Sequence, residues 1–156
     1  MTTELAPGQS APTFTLPRDG GGEVSLESLR GRKVVLYFYP KDDTSGCTKE
    51  AIAFTGLAAD FAAAGAVVLG LSKDPVASHD KFRAKHGLEV TLLSDADSDV
   101  AERYGVWVEK SMYGRKYMGI ERATYLLDEA GAIARIWRKV SVPGHAEQVL
   151  EAARSL

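Results

Sequence analysis

The sequence has little cysteine and no long apolar run. Cys47 is the only cysteine among 156 residues. The chain therefore cannot form an intrachain disulfide or carry out dithiol exchange of the CxxC type, and this usage fits a reducing compartment. No apolar run approaches the ~20 residues needed to cross a bilayer, and the polar N-terminal segment does not resemble a secretory signal. We therefore expect a cytoplasmic protein without a membrane partner.

The chain also lacks a dominant sign of charge. Its 19 basic and 21 acidic residues give a formal net charge of −2, and the basic residues are interspersed with acids. This pattern argues against nucleic acid as the main partner. A chain of this length can bury roughly two thirds of the surface of its unfolded form. We expect a single domain over residues 1–156 that needs no metal or disulfide for stability.

Apolar runs alternate with helical patterns along the chain. Residues 34–39, VVLYFY, are rich in β-branched and aromatic side chains, as expected of a central strand covered on both faces. Asp74 and Pro75 have the chemistry of a helix N-cap and first turn. The remaining predicted elements are a hairpin turning at 18–22, a helix over 47–65, a strand over 66–72, a helix ending at Gly87, a strand over 90–94, a short helix over 98–105, a hairpin over 123–138 and a helix over 145–156. The alternation predicts a three-layer α/β fold with a mixed sheet.

Cys47 falls in the first turn of the helix that follows the first buried strand. The unpaired N–H groups of a helix start stabilise a thiolate. A thiol of ordinary acidity is already about 3% ionised at neutral pH, so full ionisation raises the thiolate population only about 30-fold, or ~2 kcal/mol. A larger gain in rate requires donors that place and polarise a substrate. Thr44, the amides near Gly46 and Cys47, and a cation from elsewhere could supply them, and Gly46 allows a substrate to approach the backbone closely.

A lone cysteine can also have other roles. Without context, such a residue is most often a small buried hydrophobe. A phosphatase loop of the Cys-x5-Arg type would need arginine where Ala53 stands. A cysteine protease would need a histidine base, but His79, His86 and His145 carry no recognisable partner signature. We interpret the three histidines as surface or structural residues.

One acidic stretch has the beginning of a calcium loop. Asp95, Asp97 and Asp99 are spaced correctly, but Val100 and Val106 occupy the sixth and twelfth positions, where glycine and glutamate are needed. We interpret the stretch as a turn and helix cap, and no metal site is predicted.

The arrangement Pro40-x3-Thr44-x2-Cys47 resembles the active-site motif of the peroxiredoxins. The stretch YFYPKDDTSGCTKEAIAF is most similar to the bacterioferritin-comigratory-protein or peroxiredoxin Q branch, and the similarity continues through KSMYGRKYMGIERATYLLDEAG. It covers nearly the whole chain. The resemblance implies a thioredoxin-like fold, favours a monomer, and implies reduction of hydrogen peroxide and organic hydroperoxides without a metal or organic cofactor.

The resemblance also assigns roles to individual residues. Cys47 corresponds to the peroxidatic nucleophile, whose thiolate attacks the O–O bond and becomes a sulfenic acid. Thr44 is expected to hydrogen-bond the peroxide and Pro40 to shield the thiolate from water. Arg122, in GIERATYLLD, corresponds to the arginine that pairs with the thiolate and polarises the departing oxygen. Glu50 could cap the helix or orient Arg122, but we interpret it as part of a solvated face.

The chain departs from the two-cysteine pattern of this branch. The positions that carry a second, resolving cysteine in relatives are Ile52 and Arg83 here. We therefore expect no resolving cysteine and a one-cysteine mechanism in which an external thiol attacks the Cys47 sulfenic acid. Thioredoxin, glutaredoxin and a low-molecular-weight thiol are all possible reductants. The rival interpretation is a non-catalytic thioredoxin-fold binding or holdase module that contains a thiol.

Overall fold

The computed structural model describes residues 4–156. In chain order its elements are β1 (Thr15–Pro17), β2 (Glu23–Ser25), a 3₁₀ turn (Leu26–Leu29), β3 (Lys33–Phe38), α1 (Ser45–Gly56), α2 (Ala58–Ala63), β4 (Ala66–Ser72), α3 (Val76–His86), β5 (Thr91–Ser94), α4 (Val100–Arg103), β6 (Trp107–Met112), β7 (Arg115–Ile120), β8 (Ala123–Leu127), β9 (Ile133–Arg138) and α5 (His145–Arg154). Over this described range, no helix is long and apolar enough to cross a membrane.

A mixed five-stranded sheet lies at the centre, with the strand order β5-β4-β3-β8-β9. Strands β3, β4 and β5 are parallel, and β8 is antiparallel to both β3 and β9. Strand β3 is the middle strand of the sheet. Because β8 runs antiparallel to it, the end of β3 lies beside the start of β8. This topology places the start of α1 beside the start of β8.

Both faces of β3 are buried, which explains its uninterrupted apolar sequence. Leu36 and Phe38 belong to one core cluster, which also contains Tyr104 and Tyr125. The side chain of Tyr37 points to the opposite face and joins a second cluster that includes residues of α1, α2, α3 and α5. The predicted three-layer arrangement is therefore confirmed.

The helix predicted over 47–65 is interrupted. Helix α1 ends at Gly56, and Leu57 adopts φ −106° and ψ 10° before α2 begins. This conformation lies in the bridge region rather than the helical one. Gly56 weakens the helix locally, because glycine has a low helix propensity. Gly65, with φ +77°, follows the end of α2 in the left-handed conformation that glycine adopts readily.

Asp74 does not cap α3, contrary to the sequence-based expectation. Pro75 occupies the N-cap position of α3. The Asp74 carboxylate instead accepts hydrogen bonds from the hydroxyl of Ser72, at 2.6 Å, and from the backbone N–H of Asp42, at 2.9 Å. Asp74 therefore connects the loop after β3 to the loop after β4.

The acidic stretch before α4 is a turn and helix cap, as predicted. Asp95 is buried, and its two carboxylate oxygens accept the N–H groups of Val100 and Ala101 at 3.1 and 2.8 Å. Lys73 lies 3.0 Å from the same carboxylate. Within residues 4–156, no group of three acidic, histidine or cysteine side chains is arranged to hold a metal ion.

The β6–β7 hairpin was not predicted from the sequence. Most of its side chains are exposed on both faces, so the strands lack the alternating apolar pattern that indicates a half-buried strand. Tyr113 and Gly114 form its turn with φ values of 52° and 77°. Two consecutive positive φ values are typical of a type I′ hairpin turn, although Asn-Gly is its usual sequence signal.

Candidate active site

Cys47 lies in the first turn of α1, as the sequence predicted. The helix begins at Ser45, with Thr44 at the N-cap position. The Cys47 side chain is buried, with 1% of the residue surface exposed. Pro40, in the loop between β3 and α1, is half-buried. The thiol is therefore held in a fixed position at a helix start and largely screened from water.

Arg122 reaches this thiol from the start of the neighbouring strand, β8. It immediately precedes β8, and Phe38 at the end of β3 pairs with Ala123 at the start of β8. The Arg122 Nη2 donates a hydrogen bond to the Cys47 Sγ at 3.4 Å. The antiparallel register of β3 and β8 thus brings together two side chains that lie 75 positions apart.

Glu50 anchors Arg122 and is buried, so its interpretation as a solvated side chain is wrong. Its Oε1 accepts a hydrogen bond from Arg122 Nη1 at 2.6 Å, and only 1% of the residue is exposed. Burial raises the pKa of Glu50 to about 7, although the charge and hydrogen bond of Arg122 partly offset this effect. Glu50 follows Cys47 by almost one helical turn, so both side chains face the same guanidinium.

Thr44 is exposed at the mouth of the site. Its hydroxyl donates to the carbonyl oxygen of Lys41 at 2.8 Å instead of capping α1. Because that proton is already used, the Thr44 oxygen can only accept a further hydrogen bond. It is therefore suited to receive a hydrogen bond from a ligand at the mouth of the site.

Gly46 makes room for Arg122 as well as for a substrate. A Cβ atom at this position would lie 3.1 Å from Arg122 Nη2 and 3.8 Å from its Cζ. The 3.1 Å contact is tight enough that the guanidinium would have to shift by a few tenths of an ångström. Glycine is therefore needed here partly because Arg122 occupies the space that a side chain would take. The sequence could not show this contact.

Two further residues near the thiol were missed by sequence reasoning. Lys110, on β6, donates to the carbonyl of Ile120. Its pKa is lowered by burial and by the charge of Arg122, while the nearby Cys47 raises it. Tyr37 is fully buried, and its pKa is raised by burial and by the charges of Glu50 and Cys47. No sequence signal marks either residue, since one lies in an exposed hairpin and the other in an ordinary core strand.

The histidines do not form a dyad with the thiol. The Cys47 Sγ receives its hydrogen bond from Arg122, and no histidine in the part of the chain described here bonds to it. His79 and His145 are buried beside Asp42 and Thr124, and His86 pairs with Asp43 nearer the surface. A cysteine protease arrangement is therefore absent from residues 4–156.

The geometry therefore suits a cysteine nucleophile that acts beside a fixed cation. The family model described as the AhpC/TSA family matches residues 7–136, and the chain belongs to this family. A putative peroxiredoxin bcp of Coxiella burnetii is 55% identical over 143 residues, which cover 92% of this chain and 95% of the relative. The peroxiredoxin Bcp of Bacillus subtilis is 43% identical over 156 residues, covering 100% of this chain and 98% of the relative.

Solved structures of similar proteins support the same family assignment. A peroxiredoxin Q of Xylella fastidiosa is superimposed with a TM-score of 0.92 at 38% identity, covering 98% of each chain. A bacterioferritin comigratory protein of Xanthomonas campestris, described in terms of its alkyl peroxide reduction activity, gives a TM-score of 0.90 at 42% identity, covering 96% of this chain and 98% of the other. These neighbours confirm the thioredoxin-like fold and the peroxiredoxin Q branch expected from the motif.

The family assignment also defines the general chemistry. Peroxiredoxins are thiol-dependent peroxidases, and the present chain is one of them: its substrate is a peroxide and its reductant a thiol. Two solved structures of the Xanthomonas campestris protein carry serine in place of two different cysteines, so that relative contains at least two. The present chain contains Cys47 alone.

Proposed function

We propose that this chain reduces hydrogen peroxide and organic hydroperoxides with Cys47 as the peroxidatic nucleophile. The observation that carries the proposal is the 3.4 Å hydrogen bond from Arg122 Nη2 to the Cys47 Sγ, with the same guanidinium fixed by Glu50. The thiolate attacks one peroxide oxygen, an S–O bond forms and the O–O bond breaks. The departing oxygen takes up a proton and leaves as water or an alcohol, and Cys47 becomes a sulfenic acid.

Four other residues assist this step. Arg122 donates to the departing oxygen as negative charge develops on it. The Thr44 oxygen accepts a hydrogen bond from the peroxide, and Gly46 leaves space for substrate and guanidinium together. Pro40 keeps bulk water from the thiolate. Glu50 fixes the Arg122 guanidinium before the substrate arrives, and a donor that is already in place contributes most to the rate.

An external thiol completes the cycle. The reductant thiol attacks the sulfur of the sulfenic acid, water leaves, and a mixed disulfide forms. A second thiol group of the reductant then displaces Cys47 and forms a disulfide with the first. Ile52, 48% exposed on α1, and Arg83, bonded to Asp19 at 2.7 Å, occupy the positions that could otherwise hold a resolving cysteine. The candidate reductants remain thioredoxin, glutaredoxin and a low-molecular-weight thiol.

Organic hydroperoxides are included because the Xanthomonas campestris relative is described as active on alkyl peroxides. We further propose that residues 1–156 act as one domain and that the protein is a cytoplasmic monomer. Sedimentation equilibrium tests the monomer, and fractionation of the source cells tests the location. A sedimenting mass of two chains or more would contradict the first of these proposals.

Mass spectrometry of the peroxide-treated protein tests the chemistry. Equimolar hydrogen peroxide should add one oxygen at Cys47, and a small thiol added afterwards should replace it with one thiol adduct per chain. NADPH consumption should then proceed with a thioredoxin system or with a glutathione and glutaredoxin system. Cys47→Ser should abolish both results. If the thiol reacts no faster than free cysteine and neither system supports turnover, the peroxidase mechanism is wrong and a binding module is favoured.

A further inference from the structure

A second buried charged site lies behind the active-site loop. Asp42, two residues before Thr44, is almost inaccessible, and its carboxylate accepts three hydrogen bonds. Oδ1 receives the Tyr39 hydroxyl at 2.6 Å, and Oδ2 receives the Ser78 hydroxyl at 2.8 Å and lies 2.7 Å from His79 Nδ1. Two of these donors, Ser78 and His79, belong to α3. The loop that presents Thr44 is therefore attached to that helix through one carboxylate.

The surroundings of His79 define its protonation state. Its Nε2 lies 2.9 Å from the carbonyl oxygen of Leu93, which can only accept, so Nε2 carries a proton. Its Nδ1 lies 2.7 Å from Oδ2 of Asp42, and an ionised carboxylate has no proton to donate, so Nδ1 donates to it. Both ring nitrogens are donors, and the side chain is fully buried. Such an arrangement requires an imidazolium paired with a carboxylate.

We propose that His79, as a buried imidazolium, is a positioning residue for the peroxidase site: it holds Asp42 and thereby the loop that presents Thr44 to the peroxide. The inference rests on the proposed function of Cys47 and extends it to a residue that touches neither thiol nor substrate. Reaction rates depend on placement, and a displacement of about 1 Å can reduce a rate by about 100-fold. The loop also reaches α3 through Asp43, which bonds Lys85 and His86 at 2.7 and 2.8 Å.

The groups around His79 favour its charged form. Burial lowers the pKa of His79, but the hydrogen bond and charge of Asp42, the carbonyl of Leu93 and the charge of Asp74 together raise it above its ordinary value. The remaining polar neighbours are the neutral hydroxyls of Tyr39 and Ser78. Since the pKa is higher in the folded state, the pair contributes its full stability below about pH 6.5 and loses it as the pH rises through the folded value.

A double-substitution cycle tests the proposal. The variants are His79→Leu, Asp42→Ala and the combination, and the readout is the second-order rate constant of Cys47 with hydrogen peroxide, with iodoacetamide alkylation measured alongside. His79→Leu should lower the peroxide rate constant about tenfold without slowing alkylation, because the thiol stays in place while the loop shifts. In the Asp42→Ala background the same substitution should change the rate constant less than about twofold.

Lys81→Leu is the control, because Lys81 lies on the same helix at an exposed position. It should leave the peroxide rate constant within about twofold. The nitrogen NMR spectrum of the unsubstituted protein at neutral pH should show protons on both ring nitrogens of His79. A singly protonated His79, or an equal loss of rate on removing His79 with and without Asp42, would overturn the proposal.

The outcomes also separate this inference from the proposed function. If Cys47 of the unsubstituted protein failed to react with peroxide, the proposed function would fail while the NMR spectrum still determined the protonation of His79. If peroxide reacted rapidly but His79→Leu had no effect on the rate constant of the folded variant, only the positioning role would be overturned.

Discussion

At the scale of single residues, one guanidinium connects the thiol to a buried carboxylate. Arg122 Nη2 contacts the Cys47 Sγ and Arg122 Nη1 contacts Glu50 Oε1. The motif residues around Cys47 could be recognised from the sequence because they are close together in it. The contact with Arg122 depends on the register of β3 and β8, and the burial of Glu50 depends on that contact. Neither property is visible in local sequence, which is why Glu50 was assigned to the wrong environment.

Replacing Gly46 tests the space that Arg122 requires. Gly46→Ala should lower the peroxide rate constant about tenfold, because the added Cβ would lie 3.1 Å from Arg122 Nη2. Stability should not fall, since alanine favours a helix over glycine by up to about 1 kcal/mol. Gly56→Ala, at the other end of α1 with no atom within 4 Å of the new Cβ, is the control and should leave the rate unchanged. Equal effects of the two substitutions on the rate would contradict the account.

Replacing Glu50 tests its buried charge. The pKa of Glu50 is about 7 in the folded protein against an ordinary value of 4.5. Because this pKa is raised by folding, the contribution of Glu50 to stability is present below about pH 4.5 and is lost as the pH rises through about 7. Glu50→Gln should therefore gain stability relative to the unsubstituted protein between about pH 4.5 and 8, by up to about 3 kcal/mol.

Urea denaturation at a series of pH values measures this difference. Glu147→Gln removes a carboxylate at an exposed position of α5 and is the control. A Glu50→Gln variant whose relative stability is independent of pH would show that Glu50 titrates as an ordinary carboxyl group.

At the scale of secondary-structure elements, the buried strands were predictable and the exposed hairpin was not. The apolar runs of β3, β4 and β5 identify strands because both their faces are covered. Most side chains of β6 and β7 are exposed or only partly buried, so these strands give no such pattern. The break between α1 and α2 was missed because the apolar spacing continues across Leu57. Contacts between elements also decide whether a residue caps a helix. Asp74 accepts a hydrogen bond from the loop that contains Asp42 and does not cap α3.

Removing the cap of α4 tests the role of Asp95. Asp95→Ala should reduce the free energy of unfolding by about 2–4 kcal/mol, because it leaves two buried N–H groups without an acceptor and Lys73 without its buried partner. Asp97→Ala, at an exposed position of the same turn, should change stability by less than about 0.5 kcal/mol. Urea denaturation gives both values. The peroxide rate constant of folded Asp95→Ala should be unchanged, and a large loss of rate would show that α4 affects the site.

At the scale of the whole molecule, the fold brings the single thiol of the chain together with a cation at a helix start. The sheet topology brings Arg122 to the helix start that holds Cys47, and α3 holds the intervening loop. The family and fold could be predicted from the motif because its spacing is specific and the similarity covers nearly the whole chain. The reductant could not be predicted, since the residues at positions 52 and 83 differ from those of two-cysteine relatives.

The second-order rate constant of Cys47 oxidation by hydrogen peroxide tests the central claim most directly. Ionisation alone can accelerate a thiol by at most about 30-fold over free cysteine at pH 7. The account predicts an acceleration well above that limit in stopped-flow measurements, and Arg122→Met should remove most of it. A rate constant within about 30-fold of free cysteine, or one that is unchanged by Arg122→Met, would contradict the claim that Arg122 and the loop activate the peroxide.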